Sequence, residues 1–263
     1  MNIEAFIIHL ARADRRRGNV EHLRASLPMA TRIVPAVDGQ ELGAADMAAA
    51  VVQSLHSPTY PFVMSQNEVA CFLSHRRAWQ AIIDNNLDAA LILEDDAALE
   101  DHFSASLNLA MRHIDAFGFI RFPFRNGRER GRKVAVDGSC ALYELRDVGL
   151  GMVAQLVSRN AALQLLRATE RFDRPVDTLL QMPWATGVRP CSIAPAAVRE
   201  ISPSLGGTTL RKSCSFSSKL NRELLRPLYR LQVRFYARLM RHPKPHTIGS
   251  AGLRMASEPP TSL

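Results

Sequence analysis

The stretch AALILEDD, Ala89 to Asp96, decides how this chain is read. Five apolar residues, Ala89 to Leu93, end abruptly in three carboxylates, Glu94, Asp95 and Asp96. An unbroken apolar run bounded by polar residues predicts a strand covered on both faces, as in a parallel sheet flanked by helices. Open α/β sheets place their ligand crevice at the carboxyl ends of the strands, where these acids fall. Packed like charges repel and resist desolvation, so three together require a cation. Hard oxygen ligands suit Mg²⁺ or Mn²⁺, ions that are commonly shared with substrate phosphates. A metal-diphosphate site is the direct inference, and a solvated acidic turn is the plain alternative.

The flanking sequence extends the same pattern. Ile3 to Leu10 (IEAFIIHL) predicts a first buried strand, followed by a basic helix over Arg12 to Ser26. Thr31 to Val37 predicts a second strand closed by an Asp38-Gly39 turn, and Ala-rich Glu41 to Leu55 a helix. Ser65 and Glu68 form a capping box that opens a helix through Asn85, with Val69, Phe72, Leu73, Trp79, Ile82 and Ile83 as its buried stripe. Beyond the acidic turn come a helix (Asp101 to Phe117), a strand (Phe119 to Phe124) and a hairpin turning at Asp137-Gly138. A strand over Met152 to Val157, a Ser158-capped helix and a short helix beginning at Pro175 follow, with a last strand over Arg189 to Pro195. Alternating strands and helices over residues 1 to about 200 predict an α/β fold with a mainly parallel sheet.

Charge divides the chain. The net charge is +8, but residues 211–246 hold ten Lys or Arg and a single acid, Glu223, so that segment carries +9 and the rest −1. A nearly neutral body excludes a broad nucleic-acid face. Arg222, Arg226, Arg230, Arg234 and Arg238 recur every four residues, opposite Leu224, Leu228, Leu231, Phe235 and Leu239. A basic amphipathic helix over 220–241 of this type lies in an anionic membrane surface; a helix packed on the body is the alternative, with a nucleic-acid tail a weaker one. The predicted organisation is a catalytic domain over 1–210, a helical tail over 211–242 and a disordered end over 243–263. The start of the chain does not read as a secretory signal, and four scattered cysteines without a C-x-x-C pair fit a reducing cytoplasm.

Five stretches, in order, resemble glycosyltransferase family 25, the lipooligosaccharide galactosyltransferase family. They are IIHLARADRRR (7–17), VPAVDGQEL (34–42), SQNEVACFLSHRRAWQAI (65–82), ALILEDDA (90–97), and GMVAQLVSRNAALQLL with RPVD (151–166 and 174–177). The pairing of E-x-x-C-x-x-S-H with an ILEDD strand end is the most specific part. His9 stands where the family has Asn, and Gln155 where it often has an aromatic residue. The resemblance implies a GT-A fold and inverting transfer from UDP-galactose to a lipid-linked saccharide of lipooligosaccharide or lipopolysaccharide. It maps a divalent-cation motif onto Glu94, Asp95 and Asp96, with Asp96 the foremost metal ligand.

That chemistry needs a base for the acceptor hydroxyl and stabilisation of the departing diphosphate. Asp177, in the first turn of a helix, is the candidate base, against a role in capping that helix. Glu68 and His75, two turns apart on one helix, are candidates for the site beside structural roles as cap and core histidine. Asp38 and Gly39 are placed to meet uridine or ribose, and Arg12 and Arg15 to meet the diphosphate or uracil. A catalytically degenerate GT-A binding or assembly protein and a metal-dependent nucleotidyltransferase are the rival functions. The latter lacks its Gly-rich phosphate loop after the first strand. The expected location is the inner face of the inner membrane, on the cytoplasmic side.

Overall fold

The computed structural model describes residues 1–127, 129–207 and 216–240, with backbone alone for 216–224. Ten strands occur among them: β1 (Ile3–His9), β2 (Thr31–Pro35), β3 (Ala89–Glu94), β4 (Ala97–Leu99), β5 (Phe119–Arg121), β6 (Arg130–Asp137), β7 (Cys140–Asp147), β8 (Ala154–Ser158), β9 (Cys191–Ala194) and β10 (Val198–Glu200). The helices are α1 (Arg17–Ser26), α2 (Ala44–Ala50), α3 (Gln66–Asp84), α4 (Phe103–Phe117), α5 (Arg159–Ala168), α6 (Val176–Leu179), α7 (Pro183–Thr186) and α8 (Phe216–Leu239). Eight strands form one sheet in the order β2-β1-β3-β8-β5-β9-β7-β6, and β10 and β4 form a separate ribbon.

The α/β fold and its mainly parallel sheet stand as the sequence predicts. Six of the eight strands run one way; β7 and β8 run the other. The reversal of β8 against β3 was not legible locally, because a fully buried strand shows the same apolar run in either direction. Its effect is large. The loop into β8 opens on the edge where β1 and β3 end.

Both faces of the sheet are covered, which explains the unbroken apolar run. Phe6, Ile8, Ala90 and Ile92 face one core with Phe72, Trp79, Ile82 and Leu165. Ala5, Ile7, Leu91 and Leu93 face the other with Leu23, Leu107 and Ile114. Each fully buried Leu or Ile contributes about 1.5–3 kcal/mol. Helix α3 starts as predicted: Ser65 Oγ accepts from the Glu68 amide at 3.3 Å, and the Ser65 amide donates to Glu68 Oε2 at 2.9 Å. The predicted helix over Glu41 to Leu55 shrinks to α2, because Val51 pairs with Phe172 in a β-bridge.

Helix α8 passes through Pro227 without ending. One side of it is docked on the body. Tyr229 and Val233 are 5% and 4% exposed and belong to the α3 core. Tyr229 Oη accepts from Arg174 Nη1 at 2.5 Å, and Arg174 is itself fully buried and held by Asp173 at 2.6 Å. A buried guanidinium is tolerated here because each face of it has an acceptor. The opposite side exposes Leu228, Leu231, Phe235 and Leu239, each more than half accessible. Among the described residues no helix is long and apolar enough to cross a membrane. The predicted disordered end, 243–263, and Cys214 lie outside the described residues; Cys71, Cys140 and Cys191 are unbridged.

Candidate active site

A continuous cleft follows the carboxyl edge of β2, β1 and β3 and the entry to β8. It consists of three cavities that share walls. The first, about 170 Å³, is lined by Arg12, Arg16, Gly39, His75 and the Glu94–Asp96 turn. The second, about 390 Å³, adjoins it through Cys71, Glu94 and Glu200 and holds Glu68 and Asp177. The third, about 280 Å³, adjoins the second through Phe124, Leu150, Gly151, Gln181 and Arg230.

The acidic turn is buried and mostly paired. Asp95 accepts from His9 Nδ1 at 2.8 Å and Arg16 Nη1 at 2.5 Å, and Asn19 donates to its carbonyl at 2.8 Å. Asp96 Oδ2 lies 3.0 Å from Arg16, but its Oδ1 is buried with no donor among the described residues. Burial, then neighbouring Glu94, pushes the Asp96 carboxyl up to about 7, against the pull of Arg16. Glu94 is partly exposed and receives His75 Nε2 at 3.3 Å. Gln155 Nε2 sits 3.2 Å from His75 Nδ1, so the proton faces Glu94 from Nε2. Cys71, His75 and Glu94 converge within 4.8 Å, but burial and Glu94 raise the Cys71 thiol well above its ordinary range, keeping it protonated. The donorless Asp96 oxygen shares its cavity with Glu94 and Glu200, carboxylates of the kind that suit Mg²⁺ or Mn²⁺, although the three ligand groups that converge within 4.8 Å are those of Cys71, His75 and Glu94.

At the outer end of the first cavity, Asp38 accepts from Arg12 Nε and, at 2.9 Å, from Arg12 Nη2. That hydrogen bond holds the Asp38 carboxyl below the usual range. Gly39 packs so tightly that an added Cβ would sit 2.2 Å from Asn67 Oδ1, which explains glycine there. Ser74 Oγ accepts from the Val37 amide at 2.8 Å and fastens this turn to α3. In the second cavity, Asp177 Oδ2 accepts from the Gly151 amide at 3.0 Å, so this carboxylate also shapes the loop into β8. Glu68 serves its helix cap and lines the same cavity.

Arg12, Gly39, Glu68, His75, Glu94, Asp95, Asp96 and Asp177 therefore come to one cleft, and Asp38 borders it through its bonds to Arg12. Arg15 does not line it; its side chain lies beside Gly206, where an added Cβ would meet Cδ at 3.1 Å. The neighbouring Arg16 takes the place expected of it, because the 3₁₀ turn Asp14–Arg16 directs residue 16 under the sheet edge. A run of arginines carries no signal for which one turns inward. Glu200 was also missed. It arrives because β10 pairs antiparallel with β4, Glu200 opposite Ala97, and the Ile201 amide donates to the Asp96 carbonyl at 2.8 Å.

The family model described as glycosyltransferase family 25 (LPS biosynthesis protein) matches residues 2–180. Procollagen galactosyltransferase 1 of Danio rerio is 31% identical over 185 residues, covering 67% of this chain and 30% of that protein. A glycosyltransferase 25 family member of Drosophila pseudoobscura pseudoobscura is 29% identical over 182 residues, covering 66% of this chain and 28% of that one. The match thus spans less than a third of each relative. A solved glycosyltransferase involved in glycosylation of the major capsid of PBCV-1 shows 10% identity and a TM-score of 0.32, over 62% of this chain and 63% of that one. Since the family match runs from the first strand through α6, past the acidic turn and Asp177, this chain belongs to glycosyltransferase family 25.

Proposed function

We propose that the chain is an inverting hexosyltransferase that moves galactose from UDP-galactose onto a saccharide of lipooligosaccharide or lipopolysaccharide. The observation that carries the reading is the continuous cleft, with the acidic turn lining one end and Asp177 in the cavity beyond it. Uridine lies in the first cavity against Gly39 and the Arg12–Asp38 pair. Asp96, with Glu94 and Glu200, would hold Mn²⁺ or Mg²⁺ there, which supplies charge neutralisation for the leaving diphosphate. Arg16 and His9 fix Asp95 and so keep the turn in place. The hexose projects into the second cavity. Asp177 takes the proton of the acceptor hydroxyl as that oxygen attacks the anomeric carbon from the face opposite the nucleotide.

The test is a screen of sugar nucleotides with Mn²⁺, reading released UDP with and without acceptor. UDP-galactose should be turned over and chelator should stop it. Release of pyrophosphate instead would favour the nucleotidyltransferase, and no release from any donor the degenerate binding protein.

The same reading seats the enzyme on the cytoplasmic face of the inner membrane. The exposed stripe Leu228, Leu231, Phe235 and Leu239 supports it, with Arg238 beside it for anionic lipid. Leu231→Glu with Phe235→Glu should abolish co-sedimentation with anionic vesicles while turnover of a soluble acceptor persists. Unchanged sedimentation would refute the membrane role. Truncation before α8 is a poor test, because it would strip Tyr229 and Val233 from the core.

A further inference from the structure

We propose that the third cavity binds an anionic group, a phosphate or carboxylate, carried by the acceptor saccharide. The proposal rests on the transferase reading only in taking the bound molecule to be the acceptor. Five arginines line this cavity: Arg121, Arg125, Arg146, Arg230 and Arg234. Two carboxylates share it, and both are engaged. Glu129 lies 3.2 Å from Arg121, and Asp147 lies 3.6 Å from Arg146. Arg121 is buried and committed, donating also to the carbonyls of Gly149 at 2.5 Å and Gly151 at 2.8 Å. It builds the wall rather than binding a ligand.

Arg125, Arg230 and Arg234 are different. Among the described residues none of them has a carboxylate within ion-pair distance. Elsewhere on the body, exposed Arg17, Arg24, Arg32, Arg112, Arg132 and Arg199 each hold an acid, whereas Arg77, Arg167, Arg171 and Arg189 are exposed without one; what sets Arg125, Arg230 and Arg234 apart is that they line one cavity. Three uncompensated cations facing one concavity repel one another, and an anion between them removes that cost. Arg230 and Arg234 are one helical turn apart on α8, and Arg125 faces them from the body, its guanidinium 4.8 Å over the Phe124 ring. Planar guanidinium forks suit phosphate and carboxylate oxygens in bidentate geometry.

The location selects the acceptor over the donor. This cavity opens into the one that holds Asp177, on the side away from the Glu94–Asp96 turn. A saccharide presenting a hydroxyl to Asp177 would extend its next residues along this wall. The donor diphosphate lies at the opposite end. Helix α8 is thus part of the substrate cleft, and two of its arginines face substrate rather than lipid.

The experiment is calorimetry on the full chain with glucose 6-phosphate, glucuronic acid, glucose and inorganic phosphate, beside UDP with Mn²⁺. Glucose 6-phosphate or glucuronic acid should bind at least tenfold more tightly than glucose. Inorganic phosphate should bind more weakly than the better of the two. Arg230→Gln with Arg234→Gln should lose that preference and keep UDP affinity. Arg125→Gln, which leaves α8 untouched, should weaken the same ligand, so a misdocked helix cannot imitate the result. Equal binding of charged and neutral sugars would overturn the proposal, as would affinities unchanged in both variants. Parallel loss of UDP affinity would reassign the arginines to the donor. Binding of the anionic sugar by a chain that turns over no donor would preserve this site and remove the transferase reading.

Discussion

The two ends of the cleft carry opposite charge and are built in opposite ways. At the acidic end, Asp95 and Asp96 are 5% and 7% exposed, and the groups that compensate them, His9 and Arg16, are buried too. At the basic end, Arg125, Arg230 and Arg234 are exposed and have no ionic partner among the described residues. Burial makes an unpaired charge cost several kcal/mol, so the acidic end must be fixed in advance by neighbouring groups. Exposure makes a charge cheap to leave alone, so the basic end can wait for its ligand. The acidic end is therefore suited to chemistry that needs fixed geometry, and the basic end to recognition.

Four substitutions sharpen or break that contrast. Asp96→Asn should have the largest effect, lowering UDP release by roughly three powers of ten or more while melting stays within a few degrees of wild type. A near-normal rate, or wild-type turnover indifferent to chelator, would remove the metal from the acidic end. Asp177→Asn should lower kcat about 10²–10⁴-fold and leave UDP affinity unchanged, since the base meets the acceptor and not the nucleotide. Collapse of UDP binding would return Asp177 to its other visible role, holding the Gly151 amide.

Arg16→Met should cost about 3–5 kcal/mol of stability in urea, because it leaves buried Asp96 without a cation and Asp95 with His9 alone. Added Mn²⁺ should restore part of the loss by mass action on the folded state. A variant as stable as wild type without metal would show that the acidic end tolerates unpaired charge and would undo the comparison. Arg234→Gln should change stability by less than about 0.5 kcal/mol, as expected of an exposed group with no partner. A substantial loss there would mean that α8 is held through its arginines as well as through Tyr229.

Acid adds a second contrast, where α8 docks on the body. Burial opposes ionisation of Asp173, yet hydrogen bonds and charge from Arg174 outweigh it and hold the carboxyl below its usual range. A depressed native pKa contributes stability that is present above the ordinary carboxylate range and lost as pH falls through the native value. Docking of α8 through Arg174 and Tyr229 should weaken only in that acid window.

The sequence by itself determined most of the sheet strands, the major helices and the acidic end, but not the β4–β10 ribbon or the extent of α2. AALILEDD declares a doubly covered strand and places its acids at the strand end, since burial on both faces and the position of the charges are local properties. The Ser65–Glu68 cap is equally local, a matter of spacing within one turn. Tertiary structure alone decided what meets those acids. Arg16 rather than Arg15 turns inward because of a single 3₁₀ turn. Glu200 is joined to the acidic turn by a β-ribbon across about a hundred residues of chain, which no local pattern encodes. Helix α8 illustrates the division most clearly. Its periodicity showed that one face is apolar and the other basic. Which side would be buried depended on Arg174, a buried cation that needed the Tyr229 hydroxyl, and that demand arises only once the body has folded.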